Sequence, residues 1–207
     1  MENSTQATVA KAAIYVDLKR CIGCDSCSLA CKQEFNVELG NRWSEIYGAE
    51  RGTYPSVNVQ VLPMRCQQCG EAKCQEKCDS LGYKAIQRRP DGIVYVNPAL
   101  CVGCQKCIPE CPYKAMSFNT QKTNKLGKPG VADKCNFCMN RLDQGLLPAC
   151  VITCLGVTLE YGDFDALRAK YPNAKEMHDR SRMLYGNMGE EPKHRTAGYP
   201  DPTPFHD

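Results

Sequence analysis

Cys101-Val102-Gly103-Cys104-Gln105-Lys106-Cys107-Ile108-Pro109-Glu110-Cys111-Pro112 decides the reading of this chain. Its spacing, Cys-x2-Cys-x2-Cys-x3-Cys-Pro, hands three thiolates to one 4Fe-4S cluster and the fourth to a neighbouring cluster. Such a run is half of a two-cluster site, so a partner run is expected elsewhere in the chain.

Sixteen cysteines among 207 residues sort into four groups with none left over: Cys21, Cys24, Cys27, Cys31; Cys66, Cys69, Cys74, Cys78; Cys101, Cys104, Cys107, Cys111; and Cys135, Cys138, Cys150, Cys154. Thiols this close on one loop converge on a metal centre more readily than they pair as disulfides. Zinc also accepts four cysteines, but zinc sites typically join two Cys-x2-Cys knuckles across a longer loop. The first and third groups instead wrap three ligands over seven residues and add the fourth after three more, an iron-sulfur spacing. The second group widens its middle gap to four residues and the fourth group to eleven, so these two, taken alone, discriminate less. His178, His194 and His206 all lie in the C-terminal region, away from the cysteines, which speaks against histidine cluster ligands and a histidine-based catalytic site.

The formal charge of +3 counts every thiol as neutral. Four cubane cores near 2+, each held by four thiolates, would bring the chain to about −5. Lys19, Arg20, Lys32, Arg65, Lys73, Lys77, Lys106, Lys114, Lys134 and Arg141 stand near the cysteines in sequence and read as compensation for that charge, with a solvated basic surface as the alternative. No basic stripe with interleaved aromatics marks a nucleic-acid surface. No apolar run reaches the length of a bilayer span. Residues 1–12 hold neither a hydrophobic segment nor a twin-Arg pair, so no export signal of the chain's own is expected.

Residues 13–17 are a strand-type apolar run leading into the first cysteine loop. Ile14-Tyr15-Val16-Asp17 and Cys21-Ile22-Gly23-Cys24 return eighty residues later as Val94-Tyr95-Val96-Asn97 and Cys101-Val102-Gly103-Cys104, an internal repeat of strand, ligand loop and short helix. Gly23 and Gly103 are expected where the backbone folds tightly against a cluster and a side chain would collide. Residues 85–88, the turn Pro90-Asp91-Gly92 and residues 93–96 read as a β-hairpin, and residues 114–118 as the matching return strand. Residues 119–134 read as a polar connector, residues 163–170 as a helix, and the Pro-rich stretch from Glu190 as an extended arm. The cysteine-free residues 32–62 hold the single tryptophan, Trp43, with Tyr47, Arg51 and Tyr54, a composition that fits an interface and fits a core.

The shared-ligand rule leaves two pairings. In the nested one the sets are Cys66, Cys69, Cys74 and Cys111; Cys101, Cys104, Cys107 and Cys78; Cys21, Cys24, Cys27 and Cys154; Cys135, Cys138, Cys150 and Cys31. In the adjacent one the first group pairs with the second and the third with the fourth. Spacing alone excludes neither.

In its four groups, their order and their spacings the chain resembles the four-cluster iron-sulfur (beta) electron-transfer subunits of the dimethyl sulfoxide reductase family of molybdenum or tungsten oxidoreductases, such as those of polysulfide, thiosulfate, tetrathionate and arsenate reductases. The likeness runs from about Ile14 to Asp163 and includes Cys31-Lys32, Tyr54-Pro55, Cys111-Pro112-Tyr113, Lys134-Cys135, Phe137-Cys138 and Pro148-Ala149-Cys150. It implies the nested pairing, and a large catalytic partner that alone carries the molybdenum or tungsten bis-pterin. It also implies that a cluster of the outer pair lies nearest that partner, with the Trp43 segment facing it. A membrane quinol-linked subunit or a soluble redox carrier would be the further partner. Nitrate-reductase-type relatives replace a third-group Cys with Trp and carry one 3Fe-4S cluster; Cys104 is present here, implying four [4Fe-4S] clusters. In a departure from the family, the Pro usual after the last Cys of groups two and four is replaced by Asp79 and Leu155.

The expected fold class is α+β: two bacterial-ferredoxin-like modules, short hairpins and helices around paired clusters, related by the internal repeat. Residues 13–62 with 120–162 would form the outer module, including a partner-facing insertion at 32–62. Residues 63–119 would form the inner module, and residues 163–207 a C-terminal helix and extended arm. The expected function is electron transfer in an anaerobic respiratory-type complex, with no catalytic residue on this chain. The alternatives are a subunit of a cytoplasmic hydrogenase or formate-oxidising complex, an iron-sulfur enzyme with an open iron position, which a complete set of sixteen ligands disfavours, and a zinc-stabilised module. The expected location is the extracytoplasmic side, by co-export with a twin-Arg-signalled partner; a cytoplasmic complex is the alternative.

Overall fold

A computed structural model describes residues 11–120, 128–177 and 181–188. The tail at 1–10, the middle of the expected connector, the arm from Glu190 and the three histidines fall outside these residues.

The chain enters through β1 (Ala12–Asp17), whose first five residues are all buried. A strand covered on both faces needs no alternation, which is why Ala12 to Val16 is uniformly apolar. Helix α1 (Ser26–Phe35) follows and carries Cys27 and Cys31. Strands β2 (Ser44–Arg51) and β3 (Asn58–Arg65) then pair antiparallel over their full length, from Ser44 opposite Arg65 to Arg51 opposite Asn58. This hairpin occupies most of the stretch expected to be an irregular insertion. Trp43 at its base is only 3% exposed and packs on Phe35 of α1 with ring centroids 4.8 Å apart, so the tryptophan belongs to the core and not to an interface. At the other end of the hairpin Tyr54 is 92% exposed.

Helix α2 (Lys73–Ser80) carries Cys74 and Cys78, and it continues through Asp79, where a proline would have removed a backbone donor. Strands β4 (Ile86–Arg88) and β5 (Val94–Val96) form the expected hairpin around the turn at Pro90 to Gly92. Strand β6 (Met116–Asn119) forms as expected, but it pairs with β7 (Val131–Lys134), a fully buried strand inside the stretch read as a connector. Polar composition misled there because Asp133 and Lys134 are polar residues with buried partners. Short helices α3 (Met139–Leu142) and α4 (Ala149–Ile152) lie within the fourth cysteine group, α3 starting directly after Cys138 and α4 carrying Cys150.

Strand β8 (Leu159–Asp163) runs antiparallel to β1, and helix α5 (Phe164–Lys170) begins where Asp163 accepts the N–H groups of Asp165 and Ala166. The chain after α5 departs from the helix-and-arm expectation. Strands β9 (Lys175–Glu176) and β10 (Met183–Gly186) return it to the first sheet, where β10 lies parallel to β1 in the order β8-β1-β10-β9. Met183, Leu184 and Tyr185 are completely buried, too short an apolar run to stand out in a polar neighbourhood.

Candidate electron-transfer site

Two helices fix the spacing of four of the cysteines. Cys27 and Cys31 on α1, and Cys74 and Cys78 on α2, are four residues apart and so lie one turn above each other on one helix face. Each helix offers its two thiols to two different neighbours about 5–6 Å apart.

The structure brings the sixteen cysteines together in four sets. Cys21, Cys24, Cys27 and Cys154 line one cavity; Cys66, Cys69, Cys74 and Cys111 a second; Cys78, Cys101, Cys104 and Cys107 a third. Cys31, Cys135, Cys138 and Cys150 form the fourth set: all are buried, and the thiol of Cys31 is driven well above its ordinary pKa by burial and then by Cys135, Cys150 and Cys138. Among the described residues no three His, Cys, Asp or Glu side chains surround a single-ion position. Four sulfurs arranged around a cavity suit a polynuclear cluster, whereas zinc draws its ligands to about 2.3 Å from one point.

Shared elements give the order of the sets: α1 carries both Cys27 and Cys31, Lys134 Nζ reaches Cys66 Sγ and the Cys135 carbonyl oxygen, and α2 carries both Cys74 and Cys78. Burial raises the Cys150 thiol, Arg65 lowers it, and Cys27 of the Cys21 set raises it again. Burial and then Cys66 push Cys135 up to about 12, and burial and then Cys74 push Cys107 up to about 12. The sets therefore follow one another as Cys21, Cys31, Cys66 and Cys78. Exposed cysteines occur only in the two end sets, Cys24 in one and Cys104 in the other. The central run, expected in the inner module, supplies Cys101, Cys104 and Cys107 to the last set in this order and Cys111 to the one before it.

A shared backbone device shapes the loops. The residue before the second cysteine of each group is left-handed: Gly23 at φ +70, Gln68 at +50, Gly103 at +75 and Phe137 at +53. The glycines are thus explained by backbone conformation in the first place. A Cβ at Gly103 would meet the Gly130 carbonyl oxygen at 2.3 Å, so the expected collision exists there, with the chain itself; at Gly23 it would only touch Val61 methyls at 3.4 Å. A second device serves the last cysteines of three groups. Lys84, Lys114 and Val157 are left-handed at φ +49, +47 and +47. Each presents the next amide to a sulfur: Ala85 N to Cys78 Sγ at 3.2 Å, Ala115 N to Cys111 Sγ at 3.4 Å, and Thr158 N to Cys154 Sγ at 3.2 Å. Donors aimed at sulfur are what a thiolate ligand requires. No motif announces this second device in the sequence.

Of the ten basic residues near the cysteines only Arg65 and Lys134 are buried. Arg65 Nη1 donates to Cys150 Sγ at 3.1 Å, and Lys134 Nζ to Cys66 Sγ at 3.3 Å. The others lie at or near the surface: Lys77 pairs with Glu110 and Arg141 with Glu34.

Four sets of thiols, three of them lining cavities and each of those three with a backbone amide turned to one sulfur, define a multi-cluster iron-sulfur protein. Family models described as "4Fe-4S dicluster domain" match residues 57–164 and residues 13–79. Among curated proteins, the chain is 35% identical to the putative iron-sulfur subunit of a dimethyl sulfoxide reductase from Halobacterium salinarum, over 73% of this chain and 66% of that one. It is 29% identical to the arsenate respiratory reductase iron-sulfur subunit ArrB of a Shewanella species, over 86% and 92%, and 34% identical to a tetrathionate reductase subunit from Salmonella typhimurium, over 87% and 69%. The chain belongs to the family of iron-sulfur electron-transfer subunits of dimethyl sulfoxide reductase-type oxidoreductases. The hydrogenase reading is not favoured by these relatives.

Proposed function

We propose that this chain is a non-catalytic subunit that conducts electrons through four [4Fe-4S] clusters to or from a molybdenum or tungsten bis-pterin catalytic subunit on another chain. The clusters would be held by the four cysteine sets in the nested pairing, with residues 13–62 and 120–162 forming the outer module and residues 63–119 the inner one. The observation that carries this reading is the linear order of the sets, linked through α1, Lys134 and α2, with exposed cysteines only at the two ends. Such a path loads at one end and discharges at the other.

The end at Cys24 is flanked by exposed Ile22, Leu155 and Val157, and the end at Cys104 by exposed Val102, Leu81 and Tyr83. Apolar surface beside each terminal set suits docking of a partner. The catalytic subunit would take the Cys21 end, and a membrane quinol-linked subunit or soluble carrier the other. No helix among the described residues is long and apolar enough to cross a membrane. We place the complex on the extracytoplasmic side, by co-export with a partner bearing a twin-Arg signal.

Anaerobic purification through a tag on this chain tests the reading. A large subunit containing molybdenum or tungsten is expected to co-purify; a chain that purifies alone with full iron content would overturn it.

A further inference from the structure

Arg65 and Lys134 are each 2% exposed and sit at successive joints of the cysteine path. Arg65 lies at the end of β3, where its charge is felt by Cys150 and Cys135 of the Cys31 set and by Cys27 of the Cys21 set. Its Nη1 donates to Cys150 Sγ, but its Nε and Nη2 are buried with no acceptor among the described residues. Leaving two guanidinium donors unsatisfied in a core is costly, unless something in the neighbouring cavity accepts them. Lys134 ends β7 between the Cys66 and Cys31 sets. Its Nζ donates to Cys66 Sγ, to the carbonyl oxygen of Cys135 at 3.0 Å, and to that of Val94.

The joint between the Cys66 and Cys78 sets is different. Apolar Ala72, Ala85, Ile86, Val94, Met116 and Ala132 pack there, and among the described residues no buried Lys or Arg donates to a sulfur of the Cys78 set. Among the described residues the Cys31 set therefore has a buried cation on each side, the Cys21 and Cys66 sets share one each, and the Cys78 set has none.

Resting on the four-cluster reading above, we propose that Arg65 and Lys134 raise the reduction potentials of the clusters they touch, making the Cys31-set cluster the most oxidising of the four and the Cys78-set cluster, by comparison, untouched. Each cluster takes up one electron without breaking a bond, and its total charge with four thiolates changes from about −2 to −3. Burial alone disfavours the more negative state. A fixed cation within hydrogen-bonding distance of the sulfurs offsets that cost. The path would then hold an electron at its most buried point, away from solvent and oxidants, between two ends that exchange with partners.

The test is EPR-monitored titration with dithionite of the anaerobically purified complex, comparing wild type with Arg65→Gln and Lys134→Gln. The Cys31-set signal is assigned through its loss or change in Cys31→Ser. Each Gln variant is expected to retain its iron and to lower the Cys31-set midpoint by at least 59 mV, a tenfold shift in the one-electron equilibrium. The Cys78-set midpoint should hold still, and Arg65→Lys and Lys134→Arg should restore most of the shift. Unchanged midpoints with full iron, or a largest shift in the Cys78 set, would overturn the proposal. Should the Gln variants lose iron, pulsed EPR of wild-type complex labelled with 15N-arginine or 15N-lysine decides instead. An arginine nitrogen coupling at the Cys31-set cluster and a lysine nitrogen coupling at the Cys66-set cluster are expected, and absence of both overturns the proposal. Iron analysis of the wild type separates this outcome from failure of the four-cluster reading, because that failure shows as a low iron count before any midpoint is measured.

Discussion

Thr158 gives its backbone N–H to Cys154 Sγ at 3.2 Å, and it does so because Val157 before it is held at φ +47. A β-branched residue in the left-handed region is strained by about 1–2 kcal/mol. Val157 is also 66% exposed and packs little. Val157→Gly is therefore expected to stabilise the holo-protein by about 1 kcal/mol, the relief of strain exceeding the extra chain entropy of glycine. Anaerobic thermal unfolding followed by loss of visible absorbance measures this; a lower unfolding temperature would show that the side chain does more than the backbone.

Gly103 and Gly23 occupy equivalent loop positions but face different neighbours. Gly103→Ala drives a Cβ to within 2.3 Å of the Gly130 carbonyl oxygen, against backbone that has to move, whereas Gly23→Ala meets only Val61 methyls at 3.4 and 3.5 Å. Iron per chain after anaerobic purification should fall in Gly103→Ala and stay near wild type in Gly23→Ala, whose cost is limited to about 1 kcal/mol of left-handed strain. Equal losses in both variants would mean that the clash is not what matters.

Trp43 is buried against Phe35, so Trp43→Ala should cost about 3–5 kcal/mol of stability through the cavity it leaves. Tyr54→Ala, at the exposed tip of the β2–β3 hairpin, should leave the unfolding temperature within the small range of surface changes. Thermal unfolding of the two variants side by side checks the assignment of Trp43 to the core. A Trp43 variant of undiminished stability would return that residue to the surface.

The geometry of the sets predicts which cysteines share a fate. Cys154→Ser should alter the same EPR signal as Cys24→Ser, and Cys31→Ser the same signal as Cys138→Ser, because each pair lines one cavity or packs in one set. Signals paired instead as Cys31 with Cys69 would support adjacent linking of the first and second groups.

How far the sequence could be read depended on the kind of constraint. The cysteine spacings were legible because a cluster demands fixed offsets along the chain. Strand β1 and the β4–β5 hairpin were legible from apolar runs and a Pro-Asp-Gly turn. Strand β10 was not, because four residues make no period and its partner β1 lies at the other end of the chain. The burial of Arg65 and Lys134 was equally hidden: ten basic residues flank the cysteines, and only tertiary structure shows which two turn inward. The left-handed Lys84, Lys114 and Val157 carry no residue-type signal, since loop closure around a sulfur, not side-chain preference, sets their conformation.

Iron and acid-labile sulfide per chain bear most directly on the four-cluster account. They are best measured on the complex purified without oxygen, after subtracting any clusters carried by the large subunit. Four cubane clusters on sixteen cysteines predict about sixteen iron atoms and about sixteen sulfides per chain, with no stoichiometric zinc. A count near eight, or zinc in place of iron, would contradict the account.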